Sequence, residues 1–442
     1  MLQRYLGNKS SLNADIVRII QTLAPRGAHI CDAFAGSISV GVALKRQGFR
    51  VSSNDINLLS WIYGLAYLGG ASLPVIDLTS IVGESTARII LDSVKKSRGS
   101  DLKQGAWSNS DNCPLVISWM GLLEFLPRPY KRGELPKSYR RRDFHAHYCE
   151  AGALSAFTSS RGASGNRRFF TEENANSLDR ALSRIRYWWR TGRIDERTRC
   201  LLTACLLDGL ERVANTQGTY HDFPRDSYDP RSLKPLVVPM PDAQSILNGP
   251  PAVAIGKSMD SLEFIKGVPE HSVLYLDPPY NFRQYTAYYF LPNMVAKYPE
   301  IEDLDEYFGN VQFVRGQNME SDFTSTFCSS RKFVSSLTQL VECSRSKFVV
   351  LSYFNGKNHW HDFKSGTSDR GRQELERFFS SELFEPGTMQ CHSIERTNYQ
   401  SYGGHKALEV SEYVFVAQRR GVSSNIPSGK ASDNRESSHA VV

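Results

Sequence analysis

The sequence has no apolar run long enough to cross a bilayer, which excludes a helical integral membrane protein. It has no Cys-x-x-Cys pair and no His-x-x-His spacing, so its eight cysteines, at 31, 113, 149, 200, 205, 328, 343 and 391, outline no zinc site, and no metal is expected. Cys31 and Cys205 lie in apolar stretches, where a reduced core thiol is expected. The amino-terminal MLQRYLGNKSSLNADIV lacks the continuous apolar core and small-residue cleavage site of a secretory signal, so a reducing, cytoplasmic setting is expected. An extreme charge of either sign is also missing. The 53 Lys and Arg stand against 46 Asp and Glu, a net of +7 that permits a polyanionic partner without requiring one. With 40% hydrophobic and 22% charged residues over 442 positions, wholesale disorder is excluded, and the length suits two domains or one domain with a large insertion.

What is present begins with an amphipathic helix over 10–23, where Leu12, Ile16, Ile19, Ile20 and Leu23 recur at helical spacing before Pro25-Arg26-Gly27. Residues 28–34 read as a short buried strand entering a small-residue turn. A helix over 39–47 and a strand over 49–53 follow, with Asn54-Asp55 at that strand's carboxyl end. This is the pattern of a doubly wound α/β sheet, which places ligands beyond the carboxyl ends of its strands. The middle of the chain differs. From 128 to 168 there are ten Lys or Arg against three Asp or Glu, interleaved with aromatics. Helical stretches over 172–190 and 195–214 come next. Trp188 and Trp189 in the first of them are expected to pack rather than stack on bases, and His145 and His147 to lie at the surface or contact phosphate. Strand-like sequence resumes at 252–255, a helix spans 261–266, and a buried strand over 272–276 ends in Asp277-Pro278-Pro279-Tyr280. Runs at 347–353 and 412–417 extend the sheet, and 421–442 reads as a disordered tail.

Three segments carry chemistry. In Asp277-Pro278-Pro279-Tyr280, two prolines make a rigid turn without backbone donors. The Asp277 carboxylate and the Pro278 carbonyl can then both accept from one incoming amine. An exocyclic amine on a nucleobase is a poor nucleophile because its lone pair is delocalised. Two acceptors on its hydrogens pull it toward tetrahedral geometry, and Tyr280 offers a face for an extruded base. The second segment, Asp32-Ala33-Phe34-Ala35-Gly36-Ser37-Ile38-Ser39, lies at a strand-to-helix turn, where small residues let a cofactor approach backbone donors. Asp55, after the next strand, is placed to accept from a ribose diol. The third, Arg4-Tyr5-Leu6-Gly7-Asn8-Lys9, sets a glycine and a lysine before a helix, an arrangement suited to an amino-acid carboxylate.

Together and in this order these segments resemble the Dam-type adenine-specific DNA methyltransferases of the DPPY kind. Tyr5 to Lys9 is similar to that family's amino-terminal cofactor motif, Phe34-Ala35-Gly36 to its S-adenosylmethionine loop, and Asp277 to Tyr280 to its catalytic tetrapeptide. Gly256 to Leu262 resembles the segment whose acidic residue, here Asp260, approaches the cofactor adenine. The likeness extends to 168–174, 213–216 and 281–285, and so covers about residues 1–418. It implies a Rossmann-like doubly wound α/β sheet with an inserted, largely helical target-recognition domain. The expected boundaries are 1–100 and 246–420 for the two methyltransferase halves, 101–245 for the insertion and 421–442 for the tail. Expected catalytic residues are Asp277, Pro278, Pro279 and Tyr280. Expected cofactor contacts are Tyr5, Gly7, Lys9, Asp32, Phe34, Gly36, Asp55 and Asp260. In the insertion, Arg132, Arg140, Arg141, Arg142, Arg167 and Arg168 are expected to meet DNA phosphates and base edges.

The cofactor implied is S-adenosylmethionine and the partner is double-stranded DNA. A separate cognate restriction endonuclease accompanies such an enzyme where it belongs to a restriction-modification pair, and a monomer suits modification of one strand at a time. The family loop reads Phe-x-Gly-x-Gly, whereas Ile38 replaces its second glycine here. A branched side chain there is expected to crowd the cofactor or to resist a positive φ, weakening binding. Two alternatives stay open: methylation of another amine (cytosine, RNA adenine or a protein amide), and a DNA-binding relic without cofactor. Methylation of the cytosine ring carbon would need a catalytic cysteine, typically after proline, and the chain has no Pro-Cys pair.

Overall fold

The computed structural model describes residues 4–98, 107, 113–355, 358–360, 370–398 and 408–421. The expected tail therefore lies outside the described residues, Gly421 apart. A seven-stranded sheet organises the molecule, from β1 (His29–Asp32), β2 (Arg50–Ser53), β3 (Ala254–Ile255), β4 (His271–Leu276), β5 (Ser346–Phe354), β6 (Gln390–Asn398) and β7 (Leu408–Gln418). Their spatial order is β6-β7-β5-β4-β1-β2-β3. All contacts from β5 across to β3 are parallel, while β7 is inserted antiparallel between β5 and β6. The chain leaves β1 toward β2 on one side and receives β4 on the other, so the carboxyl ends of β1 and β4 flank the topological switch point, where open α/β sheets open a crevice.

The strands are short and apolar because both faces are covered. Along β4, Val273 and Tyr275 enter one core and Leu274 and Leu276 the other. The first core takes α1 (Asn13–Leu23), α2 (Ser39–Arg46) and α3 (Leu58–Tyr63), together with α4 (Cys113–Phe125), α5 (Glu172–Arg190), α6 (Glu196–Val213) and α8 (Phe290–Lys297). The second takes α7 (Ser261–Gly267), α9 (Phe333–Cys343) and α10 (Arg370–Phe379). Local sequence sets the helix starts. Thr171 accepts from the Asn174 N–H and Asp195 from the Thr198 N–H, each before a first turn that carries glutamate.

Among the described residues, the stretch expected as an insertion shares its buried cluster with the sheet. Leu178, Leu182, Ile185 and Trp188 of α5, with Leu201 and Leu206 of α6, belong to the same buried cluster as Ile30 and Val51 of the sheet. Trp188 packs as expected, and Arg199 lies 4.8 Å over the Trp189 ring. His147, expected at the surface, is buried, and its burial lowers its pKa to about 4.

Candidate active site

One cleft opens at the carboxyl ends of β1 and β4, where open α/β sheets bind ligands. It is lined by the turn after β1, the turn after β4, the amino-terminal segment, Asp55 after β2 and the start of α7. All twelve residues expected in catalysis or cofactor contact line it: Tyr5, Gly7, Lys9, Asp32, Phe34, Gly36, Asp55, Asp260, Asp277, Pro278, Pro279 and Tyr280.

The turn after β1 is shaped by its neighbours. Gly36 has φ +50°, and a Cβ there would lie 2.8 Å from the Tyr5 ring, so only glycine lets Tyr5 close over the loop. Tyr5 in turn stacks on Tyr289, with centroids 4.4 Å apart. The Asp55 carboxylate accepts from the Gly36 N–H at 2.9 Å, and from the Asn57 backbone and amide at 2.8 and 3.0 Å. It therefore fixes the loop as well as facing the cleft. Asp260 caps α7 by accepting from the Leu262 N–H at 2.8 Å. Phe34 meets Phe327 edge-on at 4.9 Å.

Ile38 departs from expectation. It does adopt the left-handed conformation, with φ 60° and ψ 12°, at a cost of about 1–2 kcal/mol for a branched residue. Its side chain is fully buried in the first core and is not among the residues lining the cleft, so it does not crowd the cofactor space.

The electrostatics of the cleft are dominated by carboxylates. Asp32 is buried at 1% exposure, and neither carboxylate oxygen has a hydrogen-bond partner of normal geometry, although the Phe34 N–H is turned toward it. Burial first, then the charges of Asp277 and Asp55, holds its carboxyl well above the usual carboxylate range. Lys9, at 2% exposure, was expected at a cofactor carboxylate. Its ammonium instead lies 2.9 Å from Asp277 Oδ1 and 2.9 Å from Glu412 Oε1, bridging a half-buried and a fully buried anion. Tyr280 lines the cleft and packs its ring against Phe354 at 5.2 Å.

Comparison with known proteins bears on the same segments. Residues 5–65 match the family described as D12 class N6 adenine-specific DNA methyltransferase, a stretch that holds the Tyr5 segment, the Gly36 loop and Asp55. The chain is 24% identical to the type II methyltransferase M.NlaIII of Neisseria lactamica over 427 residues, covering 94% of this chain and 99% of that protein. It is also 24% identical to the type II methyltransferase M.FokI of Planomicrobium okeanokoites, over 94% of this chain but 52% of that protein. A third relative, modification methylase StsI of Streptococcus sanguinis, is 26% identical over 61% of this chain and 37% of its own length. The chain is similar to adenine-specific DNA methyltransferases, by family model over residues 5–65 and by these relatives over most of its length. An enzyme of this family needs a methyl donor and acts on DNA.

The arginines expected at DNA are used unevenly in this methyltransferase. Arg167 is 5% exposed and gives its guanidinium to the carbonyls of Val314, Phe313, Leu154 and His147. It holds two loops together and presents no free cation to a phosphate. Arg168 pairs with Glu150 and donates to the Arg225 carbonyl. Arg141 pairs with Asp143 at 2.7 Å and Asp305 at 2.5 Å. Arg140 donates to the Leu135 carbonyl and covers the Tyr130 ring, and Arg142 donates to Asn176. Arg132 is exposed.

Sequence reasoning missed several groups. Tyr285, Thr286, Phe323, Ser325 and Cys328 close the far wall of the cleft, and Glu412 anchors Lys9 from behind. The strand carrying Glu412 was legible, but an acidic residue at its start gave no signal of a partner 403 positions earlier. Beyond the catalytic turn, Phe282 stands 75% exposed and Arg283 covers Tyr288. The Tyr288 ring stacks with His221, which Arg315 meets at 3.0 Å. This aromatic and cationic run was foreseen only in the Asn281–Tyr285 segment.

Proposed function

We propose that this enzyme transfers a methyl group from S-adenosylmethionine to the N6 amine of an adenine turned out of duplex DNA. The observation that carries the reading is that the Asp277 turn and the Gly36 loop, 241 positions apart in sequence, share one cleft. The residues present suit the cofactor on their own evidence. Asp32 offers a buried carboxylate without a normal partner, as a cationic methionine end requires, and the turn that carries Gly36 lines the same cleft. Tyr5, Gly7, Phe34 and Gly36 would enclose the cofactor, Asp55 has acceptor sites left for the ribose diol, and Asp260 would lie toward the adenine. The bound cofactor supplies an electrophilic methyl on a sulfonium.

Asp277 and the carbonyl of Pro278 accept the two hydrogens of the extruded amine, orient its lone pair for in-line attack and draw off positive charge as the new bond forms. Tyr280 stacks on the base. The rigid Pro278-Pro279 turn holds the acceptors fixed. The exposed Arg132, with Arg283 and Arg315 beside the cleft, would meet phosphates, and the 101–245 region would carry target recognition. The likeness to M.NlaIII along nearly its whole length supports a role as the modification half of a restriction-modification pair.

The test is incubation with labelled S-adenosylmethionine and unmethylated duplex DNA, followed by digestion to nucleosides. Label in N6-methyladenine, absent with Asp277→Ala, is the expected result. Label confined to RNA, cytosine or protein would overturn the adenine assignment. Absence of cofactor binding would leave the chain a DNA-binding relic, although Ile38, turned into the core, gives no reason to expect it.

A further inference from the structure

Behind the catalytic turn lies a buried chain of polar groups from three separate parts of the sequence. Lys9 Nζ bridges Asp277 Oδ1 and Glu412 Oε1 at 2.9 Å each. The same Glu412 Oε1 accepts from Ser352 Oγ at 2.7 Å. Glu412 is completely buried, yet it does not line the cleft. The sheet brings these groups together. Leu276 pairs with Leu351 in register, so Asp277 and Ser352 follow at the ends of adjacent strands, and Glu412 lies across from Phe354 on the antiparallel β7. A buried carboxylate that touches neither substrate nor cofactor is costly to keep unless its charge has a use.

We infer that Glu412 is a positioning residue for methyl transfer: it takes up the charge of Lys9, so that the ammonium anchors one oxygen of Asp277 while the carboxylate keeps its negative charge for the amine. The inference rests on the reading that Asp277 accepts the adenine amine. With Asp277 alone, Lys9 would neutralise the acceptor just where positive charge develops on the nucleophile. With Glu412 present, the triad of one cation and two anions keeps one net negative charge at the amine site. The other groups facing Asp277 are Asp32 on β1, Tyr275 on β4, and Tyr280 and Tyr285 beyond the turn. The tyrosines are neutral at working pH, and Asp32 lies on the cofactor side.

The charge logic gives opposite signs for two variants. Glu412→Gln keeps the size and a partner for Ser352, but leaves Lys9 to act on Asp277 alone. The acid limb of the single-turnover rate, at saturating cofactor and DNA, should move about one pH unit lower. The plateau should fall about 10–100-fold as the acceptor weakens. Lys9→Met leaves two carboxylates sharing a site without a cation, one of which retains a proton, so its acid limb should move higher. DNA affinity by fluorescence anisotropy, read without cofactor, should stay within about twofold in Glu412→Gln, as should the thermal midpoint within a few degrees. A purely structural glutamate would lower the amount of active enzyme and leave the limb in place. An unmoved limb in Glu412→Gln, or limbs shifted the same way in both variants, overturns the inference while wild-type N6-methyladenine formation stands. Failure of the wild type to methylate adenine overturns the underlying reading and this inference with it.

Discussion

Around the cleft five carboxylates, Asp32, Asp55, Asp260, Asp277 and Glu412, stand against a single lysine, Lys9, whereas from 128 to 168 ten cations meet three acids. The two regions treat their surplus differently. The cleft keeps its excess charge buried and partly unpartnered, with Asp32 the clearest case. The basic segment spends much of its excess inside the fold. Arg168 pairs with Glu150 and donates to the Arg225 carbonyl, and Arg140 donates to the Leu135 carbonyl. Arg167 and Arg141 are likewise committed. A charge left without a partner in a closed pocket points to a ligand of the opposite sign, while a charge satisfied by carbonyls points to architecture.

That contrast can be broken or sharpened by substitution. The largest effect is expected at the cleft: Asp277→Ala should lower methylation by about 10³-fold with the fold intact, measured by single turnover beside a melting curve. On α5, which packs against the other region, Arg184→Ala should cost about 3–5 kcal/mol of stability in urea titration, because Glu134 and a set of carbonyls lose their buried partner. Arg167→Met should cost about 2–3 kcal/mol by the same measure. It should also leave the salt dependence of DNA binding unchanged, which separates it from a phosphate contact. Arg132→Ala should have the smallest effect, a severalfold loss of DNA affinity with the slope of log affinity against log salt reduced by about one, and no change in stability. A salt slope lowered by Arg167→Met but not by Arg132→Ala would reverse the comparison.

These differences also explain what could be read from the sequence. The strands that carry the site were legible because parallel strands buried on both faces are short apolar runs, each ending in a turn whose residue types announce their chemistry, as after Leu276. The helical stretch expected over 172–190 matches α5, which Thr171 caps. The sheet's edge was less so. Residues 390–398 alternate weakly and gave no strand, and Cys113–Phe125 is apolar without a stripe because it is covered from several sides. At the site, contiguous motifs delivered the twelve residues of the cleft. The partner of Lys9 came from strand register that no local pattern encodes. Ile38 was misjudged because sequence gives a residue type but not the direction of its side chain. The arginines of 128–168 were legible as a charge count, whereas their destinations depend on carbonyls brought near by tertiary packing.

The most direct measurement of the claim that the cleft is built for a cation is calorimetric titration with S-adenosylmethionine and with its neutral demethylated product, each in two buffers of different ionisation enthalpy. Asp32 is held above the ordinary carboxylate range by burial and by Asp277 and Asp55, so it retains a proton at pH values where an exposed aspartate does not. A cationic ligand favours its charged form, so binding should release protons and tighten as pH rises through that raised range. The account predicts proton release with S-adenosylmethionine, less with the neutral product, and none in Asp32→Asn, whose affinity should fall about 10–100-fold. Equal affinity for both ligands, with no proton release in the wild type and no loss in Asp32→Asn, would contradict it.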